Sequence, residues 1–172
     1  MRECGNYRGI KLLSHAFKIY ERLLNRRIRG IVRIMRRQFG FTAGRATTDA
    51  IFVLQQLSER HREKKKPLHA VFVDLEKAFD RVPRELIWKA MRRKGVPEGY
   101  VRLVQDMYEG AETTAATAAG ETKPFPVRVG VHQGSVLSPL LFIPVIDLIA
   151  DAAGSELPGE LFFADDIAIL SG

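Results

Sequence analysis

The segment Leu161-Phe162-Phe163-Ala164-Asp165-Asp166-Ile167-Ala168-Ile169-Leu170 leaves a chain few options. Two short apolar runs, rich in aromatic and β-branched residues, flank two adjacent carboxylates. Neighbouring charges cannot be buried unpaired without a desolvation penalty, so they belong at a tip between two core strands. The spacing predicts strand, tight turn, strand, with Asp165 and Asp166 at the rim of an antiparallel sheet. Asp is also favoured in ordinary turns, so the pair taken alone reads as a plain turn.

A second carboxylate changes the weighing. His69 to Leu75 reads HAVFVDL, a short β-branched and aromatic run that predicts a buried strand ending at Asp74. Two strand-end acidic sites in one chain fit a two-metal phosphoryl-transfer centre, where ions ~3.5–4 Å apart activate a hydroxyl and stabilise the leaving oxygen. All-oxygen donors select Mg²⁺, two ions, with Mn²⁺ as a substitute. With one cysteine, Cys4, an internal disulfide and a Cys-based zinc site are excluded. His15, His61, His69 and His132 are scattered and form no ligand pair.

The remaining chain alternates helices and turns. Phe17, Tyr20, Leu24, Ile28, Ile31 and Met35 recur at helical spacing after Ser14, a fitting N-cap, and predict a basic amphipathic helix ending near Arg37. A loop from Gln38 to Arg45 follows, then a helix capped at Thr47 or Thr48 with Ile51, Leu54 and Leu57 inward. The loop fails the P-loop pattern: its glycines are one residue too close and Arg45 stands in place of Lys. Arg45 ahead of a helix N-terminus can still hold phosphate, or the loop is a plain connector. Pro83 and Gly95 bracket one helix, Pro97 and Gly110 another. Thr113 to Val131 predicts a weak hairpin, and Ser138-Pro139 opens a helix ending near Ala152 or Ala153. No run reaches the ~18 uninterrupted apolar residues of a membrane span, and no signal peptide opens the chain.

Charge is segregated. Residues 1–66 hold 17 Lys and Arg against 5 Asp and Glu, a balance of +12, within a chain whose net charge is +7. The remainder is therefore acidic. A basic third attracts phosphate backbones, and an acidic remainder can hold divalent cations.

Taken together, the motifs resemble the reverse transcriptase domain of a non-LTR (LINE-type) retrotransposon, closest to the RTE-type branch. The matching segments are NYRGIKLLSHAFKIYERLLNRRI from Asn6, QFGFTAGRATTDAIF from Gln38, FVDLEKAFDRVPRELIW from Phe72, GVPEGYVRLVQDMYEG from Gly95, VRVGVHQGSVLSPLLF from Val127 and LPGELFFADDIAIL from Leu157. The resemblance implies an α+β fold: a right-hand polymerase fragment with a small antiparallel palm sheet packed with helices. Residues 1–67 would be the basic, mostly helical fingers portion. Residues 68–172 would be a palm portion that stops before the remaining palm motifs and thumb.

It implies RNA-directed DNA polymerase activity on an RNA template, a DNA primer and dNTPs, and a nuclear, intracellular location with no membrane association. Asp74 matches the first palm aspartate, and Asp165 and Asp166 match the paired aspartates, so these three would be catalytic and metal-binding. Phe79 matches the bulky gate that rejects a ribose 2′-hydroxyl, although on residues alone it reads as core. Gln133 and Gly134 match the loop against the incoming nucleotide, and Arg45 the fingers motif for template and triphosphate. Thr42 and Ala43 depart from the family text GFRPGRST, and Pro144 falls inside a helix where proline costs about 3 kcal/mol unless accommodated. Two other functions fit the residues: a non-catalytic nucleic-acid-binding remnant of a decayed element, and a two-metal phosphohydrolase. The second is disfavoured by Phe79 and the Gln133-Gly134 loop.

Overall fold

The computed structural model describes residues 10–117, 120–154 and 159–172. Cys4 and the beginnings of the segments at Asn6 and Leu157 lie outside the described residues. In chain order the elements are α1 (His15–Arg29), α2 (Thr47–Glu63), β1 (His69–Asp74), α3 (Ala78–Arg81), α4 (Arg84–Arg93) and α5 (Glu98–Tyr108). Four two-residue strands follow: β2 (Glu112–Thr113), β3 (Ala116–Thr117), β4 (Gly120–Glu121) and β5 (Phe125–Pro126). The chain continues with α6 (Ser138–Ala153), β6 (Gly159–Phe163) and β7 (Asp166–Ser171). Helices with small antiparallel sheets make this an α+β fold, as expected. No helix among the described residues is long and apolar enough to cross a membrane.

The chain divides into two compact units, each built from two stretches of sequence. One comprises residues 1–32 and 79–138. In it, the Ser14 hydroxyl accepts a hydrogen bond from the Phe17 N–H at 3.3 Å, the expected N-cap of α1. The helix ends at Gly30, not near Arg37: the apolar rhythm continues past it, but Gly30 caps the last turn and the chain leaves. Its buried stripe is Glu21, Leu24 and Ile28. The buried carboxylate of Glu21 is answered by the Ser135 hydroxyl at 2.5 Å and the Val136 N–H at 3.2 Å, partners that local spacing could not reveal. Helices α4 and α5 pack together and bury Ile87, Trp88, Met91, Val101 and Val104, with Gly95 at φ +78° turning the chain between them. Arg84 ties the loops to this pair, donating to the carbonyls of Tyr108 (3.0 Å), Val127 (2.6 Å) and Gly130 (3.3 Å).

The predicted hairpin after Thr113 is a nested pair of two-residue ladders, β2 with β5 and β3 with β4. Val127 to Val131, the end of the expected hairpin, lies outside it. Gly130 there has φ +76°, and a methyl on it would fall 2.4 Å from the carbonyl oxygen of Asp80. Gly130→Ala is expected to destabilise the protein by roughly 2–5 kcal/mol, combining about 1–2 for a left-handed Ala with about 1–3 for overpacking. Chemical denaturation of the variant checks this value.

His132 is only 6% exposed. Its ring packs on Tyr108 with centroids 4.4 Å apart. Its Nε2 has no hydrogen-bond partner among the described residues. Burial first, then the charges of Lys11 and Arg84, push its pKa down to about 4. In the unfolded chain the ring protonates near pH 6.5, whereas the folded ring stays neutral until about 4. The stability from this site is therefore fully present above pH 6.5 and is lost as pH falls through that window, by about 1–3 kcal/mol. Denaturation midpoints at pH 7 and pH 4.5 should show that loss, and it should vanish in His132→Phe.

The second unit comprises residues 33–78 and 139–172. Its sheet is antiparallel with strand order β1-β7-β6. Register pairs His69 with Ser171 through Asp74 with Asp166, and Gly159 with Leu170 through Phe163 with Asp166. On the far side of β6, Gln38 bridges Phe162 in parallel. One sheet face packs on α2, where Ala50, Leu161 and Ala168 are buried with Phe39, Leu54 and Phe163 against them. Ala50 is the buried residue of α2, and Ile51, expected inward, is half exposed. The N-terminus of α2 is capped from inside, the Asp49 carboxylate accepting the Ala46 N–H at 2.7 Å, rather than by a threonine.

Strand β1 differs more from expectation. Its apolar run forms the strand, but along its length only Val73 is even partly buried, and Phe72 is 72% exposed. It sits at the sheet edge, paired on one side to β7. Helix α6 continues through Pro144, and residues 140–147 are all buried. Burial on this scale outweighs the one backbone hydrogen bond that proline removes.

Candidate active site

Strands β6 and β7 meet in a two-residue turn, Ala164-Asp165. Asp166 is already the first residue of β7, so the two aspartates are not both in the turn as the sequence suggested. The antiparallel register then sets Asp166 directly across from Asp74. Side chains of opposed residues share a face, with Cβ atoms roughly 4.5–5.5 Å apart. Asp74 and Asp166 are exposed and Asp165 half-buried, so the three carboxylates crowd one rim of the sheet. The crowding is felt electrostatically: desolvation first, then the charges of Asp165 and Asp74, raise the pKa of Asp166.

Such a rim is suited to hard cations. The donors are all carboxylate oxygens, and like-charge repulsion is what a bound divalent ion relieves. Among the described residues no three acidic, histidine or cysteine side chains are placed together to hold a metal ion, so any ion bound here would take at most two protein carboxylates at once. Between α2 and the sheet, a mostly apolar hollow of about 360 Å³ is lined by Ile51, Leu54, Phe72 and Phe163 together with Asp74 and Asp166.

Arg45 lies in this unit but its guanidinium is engaged within its own loop. It donates to the carbonyls of Arg36 and Gln38 and lies over the Phe39 ring, 4.7 Å from the centroid. Thr42 donates its hydroxyl to the Gln38 and Gly40 carbonyls, both at 3.2 Å. Gln38 is fully buried, and the sequence reading assigned it no role. Its side-chain oxygen accepts from the N–H groups of Gly40 and Ala164 at 2.8 and 2.9 Å. A polar residue ahead of a glycine-bearing loop was the sole sequence signal, and many surface loops share it.

Phe79, Gln133 and Gly134 belong to the other unit. Phe79 lies half-buried in the short helix α3, its carbonyl accepting from the Val131 N–H at 2.8 Å. The Gln133 amide donates to the Asp80 carboxylate at 2.7 Å, and its carbonyl accepts from the Lys11 N–H at 2.9 Å. Gly134 has φ +94° and is exposed, a conformation that glycine adopts without strain.

The family described as "Reverse transcriptase (RNA-dependent DNA polymerase)" matches residues 2–172. Among curated proteins, the chain is 30% identical to "Retrovirus-related Pol polyprotein from type-1 retrotransposable element R2" of Popillia japonica, over 96% of this chain and 25% of that protein. It is 34% identical to "Probable RNA-directed DNA polymerase from transposon BS" of Drosophila melanogaster, over 96% of this chain and 19% of that protein. The chain thus spans a quarter or less of the length of these relatives. Among solved structures, telomerase from Candida tropicalis in complex with a TWJ fragment of telomeric RNA shares the fold, with TM-score 0.65 and 12% identity. That similarity covers 91% of this chain and 29% of the telomerase chain. The chain belongs to the reverse transcriptase (RNA-dependent DNA polymerase) family, and its relatives are the reverse transcriptase domains of non-LTR retrotransposons.

Proposed function

We propose that this chain is the fingers-and-palm portion of an RNA-directed DNA polymerase of the RTE-type branch, with residues 1–67 acting as fingers and 68–172 as palm. The observation that carries the reading is the register pair Asp74–Asp166 with Asp165 in the adjoining turn. In the reaction, a primer 3′-hydroxyl oxygen bonds to the α-phosphorus of a dNTP, the bond to pyrophosphate breaks, and the hydroxyl proton is released. Asp74 and Asp165 would hold two Mg²⁺ ions, or Mn²⁺ in their place, with Asp166 as the weaker ligand. When bound there, such ions lower the pKa of the attacking hydroxyl and neutralise charge on the leaving oxygen.

The other residues serve orientation. Phe79 would stand where a ribose 2′-hydroxyl would clash. Gln133 and Gly134 would lie against the incoming nucleotide, where the Asp80 carboxylate already steadies the Gln133 amide. Arg45, packed over Phe39, would act on template and triphosphate through the loop it stiffens. The basic residues of the first third would bind the RNA template and DNA primer backbones. By the same resemblance, the protein would act inside the cell, in the nucleus.

Primer extension on poly(rA)/oligo(dT) with Mg²⁺ and labelled dTTP tests the reading. Incorporation that is lost in Asp74→Asn supports it. Tight binding of the hybrid with no incorporation assigns the chain to the alternative, a nucleic-acid-binding remnant.

A further inference from the structure

The turn that carries Asp165 is held from outside its own hairpin. The Phe39 N–H donates to the Phe162 carbonyl at 2.8 Å and the Phe162 N–H to the Arg37 carbonyl at 2.9 Å, so residues 37–39 dock alongside β6. This brings Gly40 against the turn: a methyl there would lie 2.4 Å from the Ala164 nitrogen and 2.9 Å from the Phe163 carbonyl carbon. No residue with a β-carbon fits that approach without displacing the backbone. Ala164 is itself in the left-handed region, at φ 59°, and buried. A non-glycine residue holds such a conformation where its surroundings over-determine it.

The surroundings here centre on one atom. Gln38 Oε1 accepts the N–H of Gly40 and the N–H of Ala164 together. The Nε2 of the same amide has no hydrogen-bond partner among the described residues, which an apolar side chain would avoid. An apolar side chain would instead leave two buried backbone donors unanswered. The position thus demands an acceptor that reaches both amides, at the expense of its own NH₂.

We infer that Gln38 is a positioning residue for the acidic rim: by holding the Ala164 N–H it sets the turn that carries Asp165 and leads Asp166 into register with Asp74. This rests on the reading of those three aspartates as a metal-holding set. Gln38 touches neither metal nor substrate and acts through the backbone of Ala164. Arg45 and Thr42 support it one step further out, through the Gln38 carbonyl.

The test is Mn²⁺ binding to the 172-residue chain, read by electron paramagnetic resonance of the free ion, with no substrate present. Gln38→Met keeps the length and removes the acceptor; Gln38→Glu keeps an oxygen for both amides. Circular dichroism confirms that each variant is folded at the measuring temperature. Affinity is expected to fall about 10-fold or more in Gln38→Met, the scale for a partner that orients a metal ligand, and to return close to the wild-type value in Gln38→Glu. A merely structural role would lower the melting temperature and leave the affinity of the folded protein unchanged, and that result overturns the inference. Should Gln38→Met not fold, Gly40→Ala decides, because its methyl displaces the same turn with Gln38 intact. A comparable fall in affinity there supports the inference, and wild-type affinity overturns it. If the wild-type chain binds Mn²⁺ no better than Asp165→Asn does, the metal-holding reading itself fails, a result distinct from either of these.

Discussion

Asp165→Asn is expected to reduce RNA-templated nucleotide incorporation by at least about 10²–10³-fold, the scale of removing one preorganised electrostatic group from a reacting centre. The fold should survive, because Asn is at home in a tight turn and forms the same backbone. The variant should unfold no more readily than the parent in the absence of metal. Asp165 is one of the two charges that raise the pKa of Asp166, so its removal relieves repulsion. Stability held or gained while activity is lost separates a site residue from a framework residue, for which both would fall together. Melting curves with chelator, paired with incorporation assays, measure the two quantities on one preparation.

The second large effect concerns salt. Residues 1–66 carry a balance of +12, and Arg22, Arg26, Arg27, Arg33 and Arg36 are exposed. Neutralising phosphates releases condensed counterions, so affinity falls as a power of salt concentration. Binding of a short RNA–DNA hybrid should weaken on the order of 10³-fold between about 50 and about 200 mM salt, if six or more phosphates are contacted. Arg22→Ala combined with Arg26→Ala should weaken binding to all sequences alike and lower the log–log slope by about 2. Fluorescence anisotropy of the labelled hybrid across a salt series gives that slope, and a flat series would contradict the electrostatic account.

Features that depend on a few neighbouring residues were legible in the sequence. The Ser14 cap, the break at Gly95 and the apolar runs flanking the aspartates all formed as their local chemistry dictates. Features that depend on a distant partner were not. Glu21 lies on the buried face of α1 because Ser135 and Val136, more than a hundred residues later, satisfy its carboxylate. Gln38 clasps Ala164 because its segment docks beside Phe162, and nothing in residues 37–40 announces that register. The placement of Asp166 in the strand rather than the turn follows from Ala164 adopting φ 59°, a conformation that propensity assigns to glycine or asparagine. β1 shows the opposite limit: its composition marked a strand correctly, but composition does not say how many faces of a strand are covered.

That exposed strand has a practical consequence. An edge row of backbone N–H and C=O groups, flanked by apolar side chains such as Val71 and Phe72, is a template for pairing with another chain. The residues that usually blunt such an edge, an inward-pointing Lys, a Pro or a bulge, do not occur within His69–Asp74. Prepared at high concentration, the 172-residue chain will therefore tend to self-associate edge to edge through β1, burying Phe72 between copies. A charge at Val71, on a strand with little buried surface to lose, is the least disruptive change for keeping the protein monodisperse.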